Sequence, residues 1–211
     1  MRLDPFRSIL KSVLVPLILS VARTSSAAPV DDPATMLRSS IDEMLSIAYA
    51  GHGNENLPAR VRPSVEKSFA LDLVTRQAMG PGWRQFSAAE QKRITELFSE
   101  LLIRTYSARV VGTERPKISY SAPVELAPDR REIPTRVITS SSNDPIAVVY
   151  RLIRLPAGWR VYDVLIEGVS FVANYRAQFD EIIQKGGAPA VIRNVIAQGL
   201  MPHRKFPQRA G

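Results

Sequence analysis

The chain has 211 residues, of which 45% are hydrophobic, and a formal net charge of +8 at pH 7. It contains no cysteine, which excludes disulfide bonds and thiolate chemistry. Its Lys and Arg residues are scattered and lack an aromatic stacking platform, so the charge does not indicate nucleic-acid binding. A basic surface could favour approach to anionic headgroups or to an acidic partner, or could simply keep the protein soluble.

The first 28 residues have the pattern of a cleaved signal peptide. A positively charged start is followed by an apolar stretch over residues 12–22 and by small residues at 25–28, so we expect cleavage after Ala27 or Ala28. Cleavage would remove four cations and one acid, which lowers the net charge by three to +5. The alternative is a retained membrane anchor, which needs about 20 apolar residues, and this stretch is shorter.

The pattern of residues 29–200 predicts one domain in which helices are followed by strands and then by helices again. Asp32 and Gly51 bracket the first helix. Residues 58–80 predict two short helices, and Gly80 ends the second.

The most regular helical pattern covers residues 88–110. Ser87 and Glu90 form a capping box at its start. Its apolar arc is broader than a helix needs if it only covers a sheet. The excess could line a ligand space, or the helix could pack between two neighbours.

From Lys117 to Ile166 the hydrophobic period changes to two, which is typical of strands. Short turns separate four predicted strands, at residues 118–126, 133–141, 145–155 and 158–166. Such connections favour an antiparallel meander, with the doubly apolar strand 145–155 at its centre. With helices against one face, the fold class is α+β.

Ser170 is a suitable N-cap for a helix whose apolar residues recur at three- and four-residue spacing. Gly186 and Gly187 separate this helix from a short one that ends near Leu200. The basic tail, residues 201–211, contains two prolines and is expected to be disordered.

Little in the sequence supports catalysis. His52 lies in a glycine-rich loop and His203 in the tail, so neither is placed as a base oriented by a third group. We find no metal-binding or phosphate-binding motif and expect neither a metal site nor a cofactor. Asp163 is an isolated charge within an apolar strand, and the simplest account is a hydrogen bond or an ion pair with a nearby arginine: Arg151, Arg160 or Arg176.

The clearest motif is GWRVYDVLIEGVSFVANYRAQF, residues 158–179. Its strand is broken at Glu167 and Gly168, and its helix starts after Ser170. This segment closely resembles the MlaC-type periplasmic phospholipid carriers, also called toluene-tolerance auxiliary proteins. The resemblance extends over roughly residues 32–200.

The resemblance implies a soluble periplasmic carrier of a Gram-negative cell. Such a carrier binds phospholipid acyl chains in an apolar pocket between sheet and helices and moves lipid between the outer and inner membranes, within an ABC transport system for outer-membrane lipid asymmetry. The implied partners are an inner-membrane ABC transporter with an MCE subunit and an outer-membrane lipoprotein complex, and the carrier is expected to be a monomer without enzymatic activity. Two alternatives stay open: a carrier of hopanoid or another lipid on the same fold, and an enzyme on a cone-shaped α+β scaffold with Asp163 as its buried base.

Under this resemblance, apolar residues of the long helix, the strands and the signature helix would line the pocket. They are Phe98, Leu101, Leu102, Tyr106, Val137, Val148, Tyr150, Leu152, Val164, Ile166, Val169, Phe171, Tyr175 and Phe179. Three polar residues would position the headgroup or serve the structure: Asp163, Asn174 and Arg176.

Overall fold

The computed structural model describes residues 32–50, 56–110, 114–140 and 142–200. The expected signal peptide and the expected disordered tail lie outside the described residues, as do Gly51 and both histidines. The helices are α1 (Pro33–Ala48), α2 (Leu57–Ser68), α3 (Leu71–Met79), α4 (Ala88–Val110) and α5 (Phe171–Leu200), with a 3₁₀ turn over Gly80–Gln85. The strands are β1 (Lys117–Tyr120), β2 (Val124–Ala127), β3 (Arg130–Thr139), β4 (Ser142–Leu155), β5 (Gly158–Ile166) and β6 (Val169–Ser170).

Three helix starts have the capping residues that the sequence predicts, Asp32, Ser87 and Ser170. Asp32 accepts a hydrogen bond at 2.8 Å from the backbone N–H of Thr35, and hydrogen bonding to the Thr35 hydroxyl is the main reason why the pKa of Asp32 is lowered. Ser87 and Glu90 form the capping box, in which the backbone N–H of Ser87 lies 2.8 Å from the Glu90 carboxylate. Such caps satisfy polar backbone groups that the first turn of a helix leaves without partners.

α4 packs between α2 on one side and α5 on the other. Ile103 lies with Leu57 and Val61 of α2. On the other side, the ring of Phe98 meets that of Phe179 edge to face, with centroids 5.4 Å apart. Packing between two neighbours, one of the alternatives left open by the sequence, therefore accounts for much of the broad apolar arc.

The strands form an antiparallel sheet, six-stranded over the described residues, in the order β1–β3–β4–β5–β6, with β2 also paired to β3. The α+β class and the central position of β4 are confirmed, but there are more strands than the expected four. The expected first strand is interrupted at residues 121–123, where Pro123 has no N–H to donate, and both halves pair with β3. β6 was not predicted because the chain runs back for only two residues after a left-handed turn at Glu167 and Gly168.

The hydrophobic core of the described residues is divided. One part, the helical cluster, combines side chains of α3, α4 and α5, including Phe98 and Phe179. The other part, the sheet cluster, combines α1 with the strands, including Leu37 and Leu152. Two smaller clusters lie among α1, α2 and α4 and between the start of α3 and strands β4 and β5. The surfaces that border the two large clusters are candidates for a ligand space.

α5 is kinked at the two glycines that the sequence marks as a break. Gly187 has φ 56° and ψ −152°, a combination that residues with a side chain rarely adopt. Beyond the kink, Val191 and Val195 are buried in the helical cluster. The kink therefore lets both parts of α5 pack against the same core.

Candidate functional site

The strand register identifies the side chains that share one face of the sheet. Tyr150 on β4 is paired with Ile133 on β3 and with Val164 on β5, and Val148 is paired with Ile166. Directly paired residues in antiparallel strands point to the same side of a sheet. We call this side the inner face, because it is the side that α1 covers.

The inner face is sealed at one end and partly open at the other. Near the turn between β4 and β5, Ile133 and Leu152 are fully buried in the sheet cluster together with Val161. Farther from this turn, Val137, Tyr150, Val164 and Ile166 keep accessible surface, whereas Val148 is buried. This half of the inner face is the candidate site, and its members from the predicted set are Val137, Val148, Tyr150, Val164 and Ile166.

Tyr150 lies at the boundary between the two ends. Burial, with a smaller contribution from the nearby Tyr120, raises the pKa of Tyr150 above its ordinary value. Its side chain is nevertheless only half-buried by accessible surface. Desolvation of a group that keeps accessible surface is typical of a side chain in a concave part of the surface. The surroundings of Tyr150 therefore indicate a recess over the middle of β4.

On the helical side, two half-buried aromatic residues border the helical cluster. The rings of Tyr106 on α4 and Phe171 at the start of α5 meet edge to face at 5.1 Å. Phe171 also contacts Tyr175, with ring centroids 4.9 Å apart. Tyr106 and Phe171 lie at the edge of the cluster, whereas Tyr175 is buried inside it.

Other residues of the predicted set are core residues or lie at the surface. Phe98, Leu101, Leu102 and Phe179 belong to the buried part of the helical cluster. Leu152 is fully buried in the sheet cluster. Val169 on β6 is 60% exposed. The structure therefore brings the strand residues of the set together on one face and the helix residues together in another cluster, and their contact with a ligand stays a prediction.

Asp163 is buried and surrounded by hydrogen-bond donors. One carboxylate oxygen accepts from the backbone N–H of Val164 at 2.9 Å and from that of Val172 at 3.1 Å. The other accepts from the Ser170 hydroxyl at 2.7 Å and lies 3.5 Å from the Arg151 guanidinium. Of the three arginines considered from the sequence, Arg151 is the partner of Asp163. These contacts tie β5 to the first turn of α5, and they occupy the oxygens that a catalytic base would need.

Asn174 and Arg176 lie on the exposed side of α5. The Nε atom of Arg176 donates to the backbone carbonyl of Gln77 at 2.9 Å, near the end of α3. The side chain of Asn174 is exposed. The Arg176 contact supports its structural role, because it ties α5 to the end of α3, where the Gln77 carbonyl also accepts from the backbone N–H of Gly80.

Some residues of the inner face were absent from the predicted set. Ile118 and Tyr120 on β1 pair with Val137 and Thr135 on β3 and thus share this face. The guanidinium of Arg38 on α1 lies 4.7 Å from the centre of the Tyr120 ring. The two-residue alternation of β1 was visible in the sequence, but its face could be assigned only once its pairing with β3 was known.

A separate groove lies on the outer side of α2, α3 and α4. Its walls carry charged side chains from all three helices, and they include the ion pair of Arg62 and Glu100. Charged walls are unfavourable for apolar ligands because contact with such a ligand removes water from the charges. The groove is therefore not the candidate site for an apolar ligand.

Comparisons with known proteins agree with this architecture. The sequence profile described as "MlaC protein" matches residues 38–196. A phospholipid-binding protein from Ralstonia solanacearum, determined in complex with a phospholipid, is similar in structure with a TM-score of 0.72 and 24% sequence identity; the match covers 80% of this chain and 97% of that one. A search of curated proteins finds no match. None of the described helices combines the length and hydropathy of a membrane-spanning segment. Because the family profile covers most of the chain, this protein belongs to the MlaC family.

Proposed function

We propose that this protein is a periplasmic lipid carrier that holds the acyl chains of a phospholipid against the inner face of the sheet. The observation that carries the proposal is the half-buried apolar surface around Tyr150 and Val164, next to the sealed sheet cluster. Val137 and Ile166 extend this surface along the sheet, and Tyr106 and Phe171 are the half-buried residues of the helical side that would close over the chains.

The energetics of lipid transfer favour a pocket of this kind. Burial of one methylene group is worth about 0.8 kcal/mol, so two acyl chains with roughly 30 methylenes represent over 20 kcal/mol of hydrophobic free energy that opposes diffusion through water. A carrier lowers this barrier by offering apolar contacts, and it needs no reactive group. The inner face supplies aliphatic and aromatic side chains, whereas the donors around Asp163 leave its carboxylate unsuited to act as a base.

The similar protein from Ralstonia solanacearum supports phospholipid as the cargo, because it is described as phospholipid-binding and was determined with a phospholipid bound. We extend the proposal to the transport route that family membership suggests. The mature protein, exported after cleavage of residues 1–28, would exchange lipid with an outer-membrane lipoprotein complex and with an inner-membrane ABC transporter that has an MCE subunit.

Native mass spectrometry of the exported protein tests the proposal. The full chain is produced in a Gram-negative host, purified from the periplasm without detergent, and analysed before and after lipid extraction. We expect a processed protein that begins near residue 28 and carries phospholipid. If the folded protein carries no lipid and binds no added phospholipid, the proposal is wrong.

The same experiment separates the alternative cargoes. Extraction from a host that makes both phospholipid and hopanoid would identify which class is retained. Predominant retention of hopanoid would replace phospholipid as the cargo while leaving the pocket in place. Turnover of a small ligand that depends on Asp163 would instead support an enzyme.

A further inference from the structure

The geometry points to the hydroxyl group of Tyr150 as a polar anchor inside the pocket, which donates a hydrogen bond to a neutral oxygen of the cargo such as the ester carbonyl of a diacyl lipid. The inference rests on the proposed function and names the part of the lipid that would lie against the centre of β4. It predicts selectivity for ester-linked chains, which apolar contacts alone would not produce.

The Tyr150 hydroxyl has no hydrogen-bond partner within the part of the chain that the structure describes. The ring contacts the sheet cluster and is only half-buried, so the side chain still borders accessible space. A hydroxyl group in a desolvated but accessible position usually meets an ordered water or a ligand when the protein offers it no partner.

Thr135, a neighbouring polar residue on the same face, provides a comparison. Thr135 is buried, and its hydroxyl donates to the backbone carbonyl of Val148 at 2.8 Å. Its hydrogen-bonding requirement is thus met within the sheet. Tyr150 lies one strand away on the same face and has no such bond, so its hydroxyl is the group of this pair that is free to bind a ligand.

The surroundings of Tyr150 favour a neutral acceptor over a charged one. The nearest residues on the inner face are aliphatic, since Ile133 and Val164 flank Tyr150 on the adjacent strands and Leu152 follows it on β4. Two cations lie beyond them. Arg131 is engaged by two backbone carbonyls, by Glu125 and by the ring of Trp159, and the exposed Arg38 lies over the ring of Tyr120. A phosphate placed beside Tyr150 would lose water while both cations are held at other groups, which is unfavourable. A neutral ester carbonyl suits the site.

A competition experiment tests the inference. The exported protein is exchanged with an equimolar mixture of diester and diether phosphatidylethanolamine with identical chains, and the bound fractions are read by native mass spectrometry. We expect the unmodified protein to prefer the diester lipid by roughly three- to tenfold, the effect of one hydrogen bond between neutral groups. Tyr150→Phe should bind both lipids and lose the preference.

Each other outcome has a distinct meaning. Equal binding of both lipids by the unmodified protein, or an unchanged preference in Tyr150→Phe, would overturn the inference while leaving the lipid carrier intact. If Tyr150→Phe binds both lipids more weakly than the unmodified protein and to the same extent, the hydroxyl binds an oxygen of the headgroup, and the inference is likewise wrong. Binding of neither lipid by the unmodified protein would instead contradict the proposed function.

Two controls separate this role from a structural one. Tyr162→Phe removes a hydroxyl from a buried tyrosine that packs with Ala70 and Ile153, away from the sheet cluster, and it should leave the preference unchanged. Lipid-free Tyr150→Phe should unfold at the same temperature as the unmodified protein or higher, because the substitution removes an unpaired polar group. If Tyr150→Phe does not fold, Tyr150→Met is a second variant without the hydroxyl. In either case, absence of a preference for the diester lipid in the unmodified protein would overturn the inference.

Discussion

Asp163 on β5 accepts a hydrogen bond from the backbone N–H of Val172, the second residue of α5, at 3.1 Å. The same carboxylate binds the Ser170 hydroxyl and lies near Arg151, which in turn is hydrogen-bonded to Glu132 at 2.7 Å. A chain of polar contacts thus runs from β3 through β4 and β5 to the first turn of α5. It fixes the position of Phe171 relative to the sheet.

Asp163→Ala should lower the free energy of unfolding by about 3 kcal/mol, because it leaves buried donors and a partly buried guanidinium without their acceptor. Urea unfolding measures the loss. Asp129→Ala is the matched control: its carboxylate is largely exposed and lies 3.9 Å from Arg130, so its removal should cost less than about 1 kcal/mol. Equal effects of the two variants would contradict a structural role for the Asp163 contacts.

Val164→Trp should abolish lipid binding with little effect on the melting temperature, because Val164 is half-buried and a larger side chain can occupy the proposed pocket. Val161→Trp is the matched control on the same strand, since Val161 is 1% exposed within the sheet cluster. Enlargement there should cost about 1–3 kcal/mol or more. Thermal unfolding and lipid extraction are measured for both variants. A destabilised Val164→Trp that still retains lipid would show that this end of the inner face is close-packed.

Gly187→Ala should destabilise the protein by about 1–3 kcal/mol, because alanine strains the backbone at this φ and ψ. Gly199→Ala, in the same helix, should be neutral or stabilising, since an added Cβ there has no neighbour within 4 Å. Urea unfolding compares the two variants. If both variants have the same free energy of unfolding as the unmodified protein, the kink is not required for packing of the last turns of α5.

The stability that the N-cap residue Asp32 gives to α1 should depend on pH. The pKa of Asp32 is lowered from its usual value of 3.8, so the charged cap contributes stability above that value and loses it as the pH falls through the folded-state pKa. Asp32→Ala should cost about 1 kcal/mol at pH 7 and progressively less below pH 3.8. Asp32→Asn should keep most of the stability and lack this dependence. A constant difference between the unmodified protein and Asp32→Ala from pH 7 to pH 2.5 would contradict the prediction.

Local chemistry made much of the fold predictable. Asp32, Ser87 and Ser170 mark helix starts because each supplies a side-chain oxygen to backbone N–H groups, and the structure contains all three caps. Gly187 marks the kink in α5 because few other residues adopt its backbone conformation. These features depend on neighbours in the chain, so a single sequence contains the necessary information.

The candidate site was harder to predict because it depends on contacts between distant segments. Phe98 and Val164 are both apolar residues at regular spacing, yet one is sealed among helices and the other is half-buried on the sheet. The difference arises from register and packing, which periodicity does not specify. The division of the core likewise depends on how α1, α4 and α5 pack, and no local motif encodes it.

The interruption between β1 and β2 has a consequence for aggregation. An uninterrupted strand at this edge of β3 would expose a continuous row of unpaired N–H and C=O groups, onto which another molecule could add a strand. Pro123 falls within the interruption, and the pairing of β2 with β3 shifts register between Glu125 and Ala127. Both features make the edge a poor template, although Val124 and Leu126 are apolar and exposed there. The irregular edge thus disfavours the addition of a strand from another molecule.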